Sequence, residues 1–251
     1  MKEEIKGKKV SVVMPAYNCA AYIEQAVQSV QKQQVDWELI IVDDASTDMT
    51  ETVVKSYLAD ERIQYYRNKQ NMGVSYSRNL GVSKAAGKYV AYLDADDWWE
   101  EDKLEKQVAL MEEKQAVLCY TGRELFRDDG TALKKQLHVK ETVSYTELLR
   151  GNVIACSSVL MKREAAQEFP MSHDEYHEDY MTWLLCLKKY GQACGIDEPL
   201  LCYRLSQEGK SRNRIKSAYM TYGMHRLMGK NAVQALYYTG CHLINAVRKY
   251  K

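Results

Sequence analysis

No window of this chain approaches about 18 uninterrupted apolar residues, so no membrane-spanning helix is expected. The opening stretch, MKEEIKGKK, is charged and runs straight into an apolar segment; the apolar core and small-residue cleavage site of a secretory leader are missing. Cysteines 19, 119, 156, 186, 194, 202 and 241 stand singly, without a C-x-x-C pair to hold zinc or form a dithiol. They read as reduced packing residues of a cytoplasmic protein. Internal repeats and low-complexity linkers are also absent. After the first apolar run stand Met14, Pro15, Ala16, Tyr17 and Asn18, where a dinucleotide-binding fold would place G-x-G-x-x-G. Gly81, Gly87 and Lys88 fail as a P-loop, because five residues separate the glycines and Tyr89 replaces the required Ser or Thr. A calcium loop fails at Asp94 to Trp98, where Trp98 replaces a ligand and no glycine follows.

What is present suits a packed core: 251 residues, 46% hydrophobic, enough for one domain with a small appendage. The first half alternates strand and helix patterns. Strands are expected at Val10 to Met14, Glu38 to Val42, Ile63 to Tyr66 and Lys88 to Leu93, with helices at Ala20 to Gln33, Thr50 to Leu58 and Val74 to Ala85. That order predicts a helix-covered, mainly parallel sheet with right-handed crossovers. Beyond it, a helix is expected at Lys103 to Lys114, strands at Val117 to Tyr120 and near Ser158 to Met161, a turn at Asp128 to Gly130, and a helix at Asp179 to Lys189.

The segment KYVAYLDADDWW, Lys88 to Trp99, carries the strongest chemical signal, because a buried strand ends in Asp94, Asp96 and Asp97. Carboxylates clustered at a strand's carboxyl end repel one another unless a cation or proton intervenes, and that sheet edge is where ligands bind. Mg2+ or Mn2+ suits such oxygen ligands and completes its shell with water and substrate phosphates, so a phosphorylated substrate is implied. Capping of a following helix by Asp96 and Asp97 is the competing explanation.

Charge is lopsided. Residues 203–251 hold ten Lys or Arg against Glu208 alone, whereas residues 1–202 hold 25 against 33 acidic residues. Arg204, Lys210, Arg212, Arg214 and Lys216 precede a Tyr- and Met-rich helical stretch, a composition that suits anionic phosphate or an anionic membrane surface. A solvated basic face is the alternative.

Four segments sit at or just beyond strand ends: VSVVMPAYN (Val10 to Asn18), IIVDDASTD (Ile40 to Asp48), NMGVSYSRN (Asn71 to Asn79) and YLDADD (Tyr92 to Asp97). In this order they resemble the family 2 glycosyltransferases of the GT-A fold, nucleotide-sugar-dependent enzymes of bacterial surface polysaccharide synthesis, over roughly residues 8 to 205. The resemblance implies that Pro15, Ala16, Tyr17 and Asn18 border the nucleotide base and that Asp43 and Asp44 follow the second strand, with Asp44 accepting a hydrogen bond from the base. A carboxylate can accept from the uracil N3–H, for which cytosine has no equivalent, and this favours a UDP-sugar. Arg78 is placed to reach the diphosphate through planar, charge-assisted hydrogen bonds, with a surface ion pair as the alternative. The segment Asp94, Ala95, Asp96 resembles the D-x-D motif, with Asp96 on the metal and Asp94 on the ribose or a metal-bound water.

Glu178 and Asp179 resemble the acidic pair at the start of the family's acceptor-side helix, which makes Asp179 the general base of an inverting transfer. Tyr203 and Arg204 resemble a basic loop that closes over the diphosphate after the last core strand. Trp98 and Trp99 either stack on an acceptor or pack the following helix. The chain is thus expected to comprise a GT-A catalytic domain at 1–205, with a donor half at 1–98 and an acceptor half at 99–205, and a basic helical extension at 206–251. The expected acceptor is a saccharide or polyprenyl-linked saccharide, with no role for nucleic acid. Part of its wall falls between Arg123 and Ile154. The expected location is cytoplasmic, with the possibility of peripheral attachment to the inner face of the cell membrane. The alternative from a different class is a noncatalytic nucleotide-sugar-binding subunit of a glycan-assembly complex.

Overall fold

The computed structural model describes residues 9–205 and 214–250. Its first half runs β1 (Val10–Ala16), α1 (Ile23–Gln31), β2 (Trp37–Asp43), α2 (Thr50–Lys55), β3 (Ile63–Arg67), α3 (Val74–Lys84) and β4 (Tyr89–Tyr92). Every residue of β1, β2 and β4 is buried, as their near-continuous apolar sequences require of strands covered on both faces. Alternate residues serve opposite layers: Val13, Ile40, Val42, Val90 and Tyr92 pack on one side of the sheet, Val12, Met14, Leu39, Ile41 and Ala91 on the other. The polar exceptions satisfy each other, since Ser11 Oγ donates to Glu38 Oε1 at 2.7 Å, and the same oxygen accepts from the Ala86 amide at 2.8 Å.

The second half continues with β5 (Trp98–Trp99), α4 (Lys103–Lys114), β6 (Leu118–Arg127), β7 (Ala132–Leu137), β8 (Thr142–Ser144), α5 (Tyr145–Leu148), β9 (Leu160–Lys162), α6 (Arg163–Glu168), α7 (Glu178–Tyr190) and β10 (Gln192–Leu205). Both halves share one mixed sheet, ordered β3-β2-β1-β4-β9-β6-β10-β5, with β7 added to β6 and β8 to β10. Strands β1 to β4 are mutually parallel, β9 inserts antiparallel between β4 and β6, and β6 runs parallel to β10. The fold class is therefore mixed α/β, with helices on both faces. Strand β6 extends well past the expected Tyr120 because β10 pairs with it as far as Leu205 opposite Arg127. Strand β10 was not expected from the sequence. A register shift between Ile196 and Leu201 interrupts its pattern, and Pro199 lies inside that irregularity.

After β10 come α8 (Arg214–Leu227) and α9 (Ala232–Tyr250). The two helices pack as a hairpin on α7: Met220, Met224, His225 and Ala235 are buried, and the Tyr180 ring lies 6.3 Å from His225 and 5.9 Å from His242. Asn245 Nδ2 donates to the Arg150 carbonyl at 3.0 Å. Among the described residues no helix is long and apolar enough to cross a membrane. Expectations for residues 1–8, Lys210 and Arg212 fall outside the described residues.

Candidate active site

Because β1, β2 and β4 are parallel and in register, Ala16 opposite Asp43 and Val13 opposite Tyr92, their carboxyl ends open on one sheet edge. Beyond β1 the backbone turns at Asn18, whose positive φ of 48° a short polar side chain tolerates. Asn18 Oδ1 accepts from the Thr47 amide at 2.8 Å, and the Asn18 amide donates to Ser46 Oγ at 3.0 Å, tying the loops after β1 and β2 together. Tyr17 is left half exposed on the rim.

The two aspartates after β2 part company. Asp43, expected beside the donor, has no exposed surface: its carboxylate accepts from the Ser46 amide (2.7 Å), the Tyr65 hydroxyl (2.6 Å) and Arg67 (3.2 Å), so it anchors the turn instead. Asp44 faces the segment before α3, accepting from Asn68 Nδ2 at 2.7 Å and from the Met72 and Gly73 amides at 2.8 Å each. Neither caps α2. Asp48, two residues before the helix begins, accepts from the Thr50 amide at 3.0 Å.

At the end of β4, Asp94 to Asp97 form a turn closed by the Asp97 amide on the Asp94 carbonyl at 3.0 Å. No helix begins until Lys103, which removes the helix-cap explanation of Asp96 and Asp97. Arg204 braces this turn from β10. Its amide donates to Asp97 Oδ1 (2.9 Å) and its Nε to the Asp96 carbonyl (2.9 Å), while the other guanidinium nitrogens reach the Asp128 carbonyl and Gln25. Arg204 was expected on a loop closing over the diphosphate; it is instead a buried strand residue whose donors already hold the turn. Tyr203 beside it is half-buried, its ring 5.2 Å from the Arg123 guanidinium. Of the two roles open to Trp99, packing is the one seen. Only 3% exposed, it donates its indole N–H to the Ser157 carbonyl at 2.7 Å and sits under the buried Lys103 ammonium, so it packs the core and cannot stack on an acceptor. Trp98 is half-buried against Phe126 and Arg204.

Arg78, on α3, lies behind this edge. It is 4% exposed and bridges two carboxylates, Asp94 Oδ1 at 2.6 Å and Glu178 Oε1 at 3.0 Å. Burial opposes its charge, but Asp94 and Glu178 outweigh that and hold its pKa well above the ordinary arginine value. A guanidinium so engaged orients the Asp94 carboxylate and docks α7 against α3 and the turn after β4. Contact with a diphosphate is a role it was expected to have. Asp179, in the first turn of α7, is half-buried, and its Oδ1 accepts from the Tyr180 amide at 2.6 Å. Burial and then the neighbouring Glu178 charge push its pKa up to about 7, against the pull of Arg78.

Asp96 is raised to about 6, first by burial and then by the Asp94 charge, and no other described residue donates a hydrogen bond to its carboxylate. A divalent cation would relieve that strain, and Asp94 and Asp96 fit one as a pair of hard oxygen ligands. Among the described residues no group of three or more His, Cys, Asp or Glu converges on a metal position, so substrate phosphates and water would complete the shell. Sequence reasoning missed three supports: Ser157, whose Oγ accepts from the Asp94 amide at 3.1 Å; Asn68, on Asp44; and Asp174, which accepts from the Ser75 amide and hydroxyl at the start of α3. Only Asn68 left a signal, as a polar residue immediately beyond a strand end.

Residues 11–169 match the family model for Glycosyl transferase family 2. The chain is 41% identical over 219 residues to TuaG of Bacillus subtilis (strain 168), a provisional teichuronic acid biosynthesis glycosyltransferase, covering 86% of this chain and 87% of the relative. It is 30% identical over 246 residues to the Escherichia coli UDP-Glc:alpha-D-GlcNAc-diphosphoundecaprenol beta-1,3-glucosyltransferase WfgD, covering 96% and 94%. Among solved structures, the fold matches S. aureus TarS in complex with UDP-GlcNAc with a TM-score of 0.72 at 16% identity, covering 90% of this chain and 69% of that one. It also matches the mannosyltransferase PcManGT of Pyrobaculum calidifontis with GDP-Man and Mn2+, again at a TM-score of 0.72, with 17% identity and coverage of 94% and 69%. A family model matching residues 11–169 and a 41% identical relative place the chain in glycosyl transferase family 2, and it is a glycosyltransferase.

Proposed function

We propose that this glycosyltransferase moves a sugar, with inversion, from a UDP-sugar to a lipid-linked saccharide during surface polysaccharide synthesis. The observation that carries the proposal is the Asp94–Arg78–Glu178 bridge, which ties the D-x-D turn to the helix start bearing Asp179. The diphosphate site and the base are thereby held in one rigid frame. Asp44 and the exposed Tyr17 and Asn18, just past the buried Pro15 and Ala16 at the end of β1, receive the base. A divalent ion on Asp94 and Asp96 would neutralise charge on the departing diphosphate. Asp179, with its pKa near 7, takes the proton from the acceptor hydroxyl as that oxygen attacks the anomeric carbon on the face opposite the diphosphate. Uridine is favoured by the chemistry of Asp44 and by the UDP-Glc in the name of WfgD, whose acceptor is a diphosphoundecaprenol-linked sugar.

Such an acceptor lies in a membrane, and the outer face of α9 suits one. Val233, Leu236, Tyr237 and Ile244 recur at helical spacing and are 76%, 63%, 57% and 55% exposed, on a segment where basic residues far outnumber acidic ones. Peripheral attachment through this face follows. The test is to incubate the purified chain with UDP-sugars and a synthetic alkyl diphosphate-linked GlcNAc, with Mn2+ or Mg2+, and read the product's anomeric configuration by NMR. An inverted glycoside, lost in Asp96→Ala and Asp179→Asn, supports the proposal; a retained configuration, or turnover unaffected by both substitutions, overturns it.

A further inference from the structure

Beside the helix start that carries Asp179 lies an open basin of about 370 Å3, lined by Tyr176, Tyr219, Tyr222, Gly223, Arg226 and Leu227. Its floor is one stripe of α8, since positions 219, 222, 223 and 226 share a helix face, and its wall is Tyr176 on the loop entering α7. Gly223 makes the join possible. A glycine inside a helix costs stability relative to alanine, yet a Cβ there would overlap the Tyr176 ring. Tyr176 stands 6.5 Å, centroid to centroid, from Tyr219. Arg226 is exposed, its Nη1 donates to the Tyr222 hydroxyl at 3.4 Å, and among the described residues no carboxylate pairs with it.

We propose that this basin is the acceptor subsite that receives the diphosphate and first sugar of a lipid-linked acceptor. The proposal rests on the function set out above. Tyrosine rings offer flat, amphipathic faces against which a pyranose stacks, and an unpaired guanidinium presents forked donors that match phosphate oxygens. Tyr176 is three residues from Asp179, so the two Cα atoms are at most about 11 Å apart. That puts the Tyr176 wall of the basin within reach of a sugar whose hydroxyl meets Asp179, with Arg226 on the α8 floor offered to the phosphates. The apolar outer face of α9 lies on the same hairpin, so a prenyl chain leaving the basin would meet the lipid into which that face docks.

Calorimetric titration of the full chain with the alkyl diphosphate-linked GlcNAc tests this, with UDP plus Mn2+ titrated into every variant as the donor-side control. Arg226→Ala and Tyr219→Ala change exposed side chains. Each is expected to weaken probe binding by about tenfold while UDP binding is unchanged, and octyl GlcNAc, which lacks phosphate, should not distinguish wild type from Arg226→Ala. If the variants bind the probe as wild type does, the basin is not the subsite, although the transferase assignment stands. If wild type binds UDP but not the probe, both the basin and the lipid-linked acceptor fail. Loss of sedimentation with phosphatidylglycerol vesicles in Arg226→Ala, with probe binding intact, would give the arginine to the bulk lipid headgroup and also overturn the subsite.

Discussion

Arg78 Nη2 lies 2.6 Å from Asp94 Oδ1, at the buried back of the sheet edge where the D-x-D turn opens to solvent. The same guanidinium holds Glu178 at 3.0 Å, so one residue of α3 couples the turn after β4 to the start of α7. Removing it leaves two carboxylates facing a low-dielectric interior without a counter-charge. Arg78→Ala is expected to lose about 3–5 kcal/mol of stability in denaturant unfolding. Arg78→Lys should lose less but reduce turnover, because an ammonium cannot span both partners in the same geometry.

Asp179→Asn separates chemistry from binding. Turnover should fall by about 10²–10⁴-fold with UDP affinity retained. In the wild type, activity should decline as pH drops through about 7, because the base must be ionised. The stability effect has the opposite sign. A carboxylate whose pKa is raised in the fold binds its proton more tightly there than when unfolded, so stability decreases as pH rises from the ordinary carboxylate range to about 7. The asparagine variant should therefore be no less stable than wild type at pH 8, as thermal unfolding would show.

Gly73 adopts φ of 91°, and a Cβ there would overlap the Asp174 carboxylate. Its amide and that of Met72 hold Asp44. Gly73→Ala is expected to lose about 1–3 kcal/mol and to weaken UDP binding, measured by thermal unfolding and calorimetry on the same preparation.

Trp99→Phe removes the indole donor from a buried carbonyl of Ser157, a loss of about 1–3 kcal/mol. Since the ring is 3% exposed, the acceptor KM should not move; a raised KM without a stability change would restore acceptor stacking, the other of its two expected roles.

Much of the fold was legible because strand and helix periodicities are local. The boundaries of β2, α3 and α4 differ from expectation by a residue or less, and the carboxylates fall at strand ends as the sequence suggests. Strand β10 was not legible, since an irregularity breaks its pattern and its extended state depends on pairing with β6.

The sequence by itself determined the alternation of strand and helix, the family motifs and their place at one sheet edge, because these depend on short-range chemistry along the chain. Only the tertiary structure decided which polar groups meet. Arg78 finds Glu178 across 100 residues and Arg204 finds Asp96 across 108, so a guanidinium expected on the diphosphate is seen bridging carboxylates and one expected on a mobile loop becomes a brace. Asp43 and Trp99 are hidden by the same packing. Sequence spacing states which residues are available; strand order and burial state which of them still face solvent, and with it a substrate.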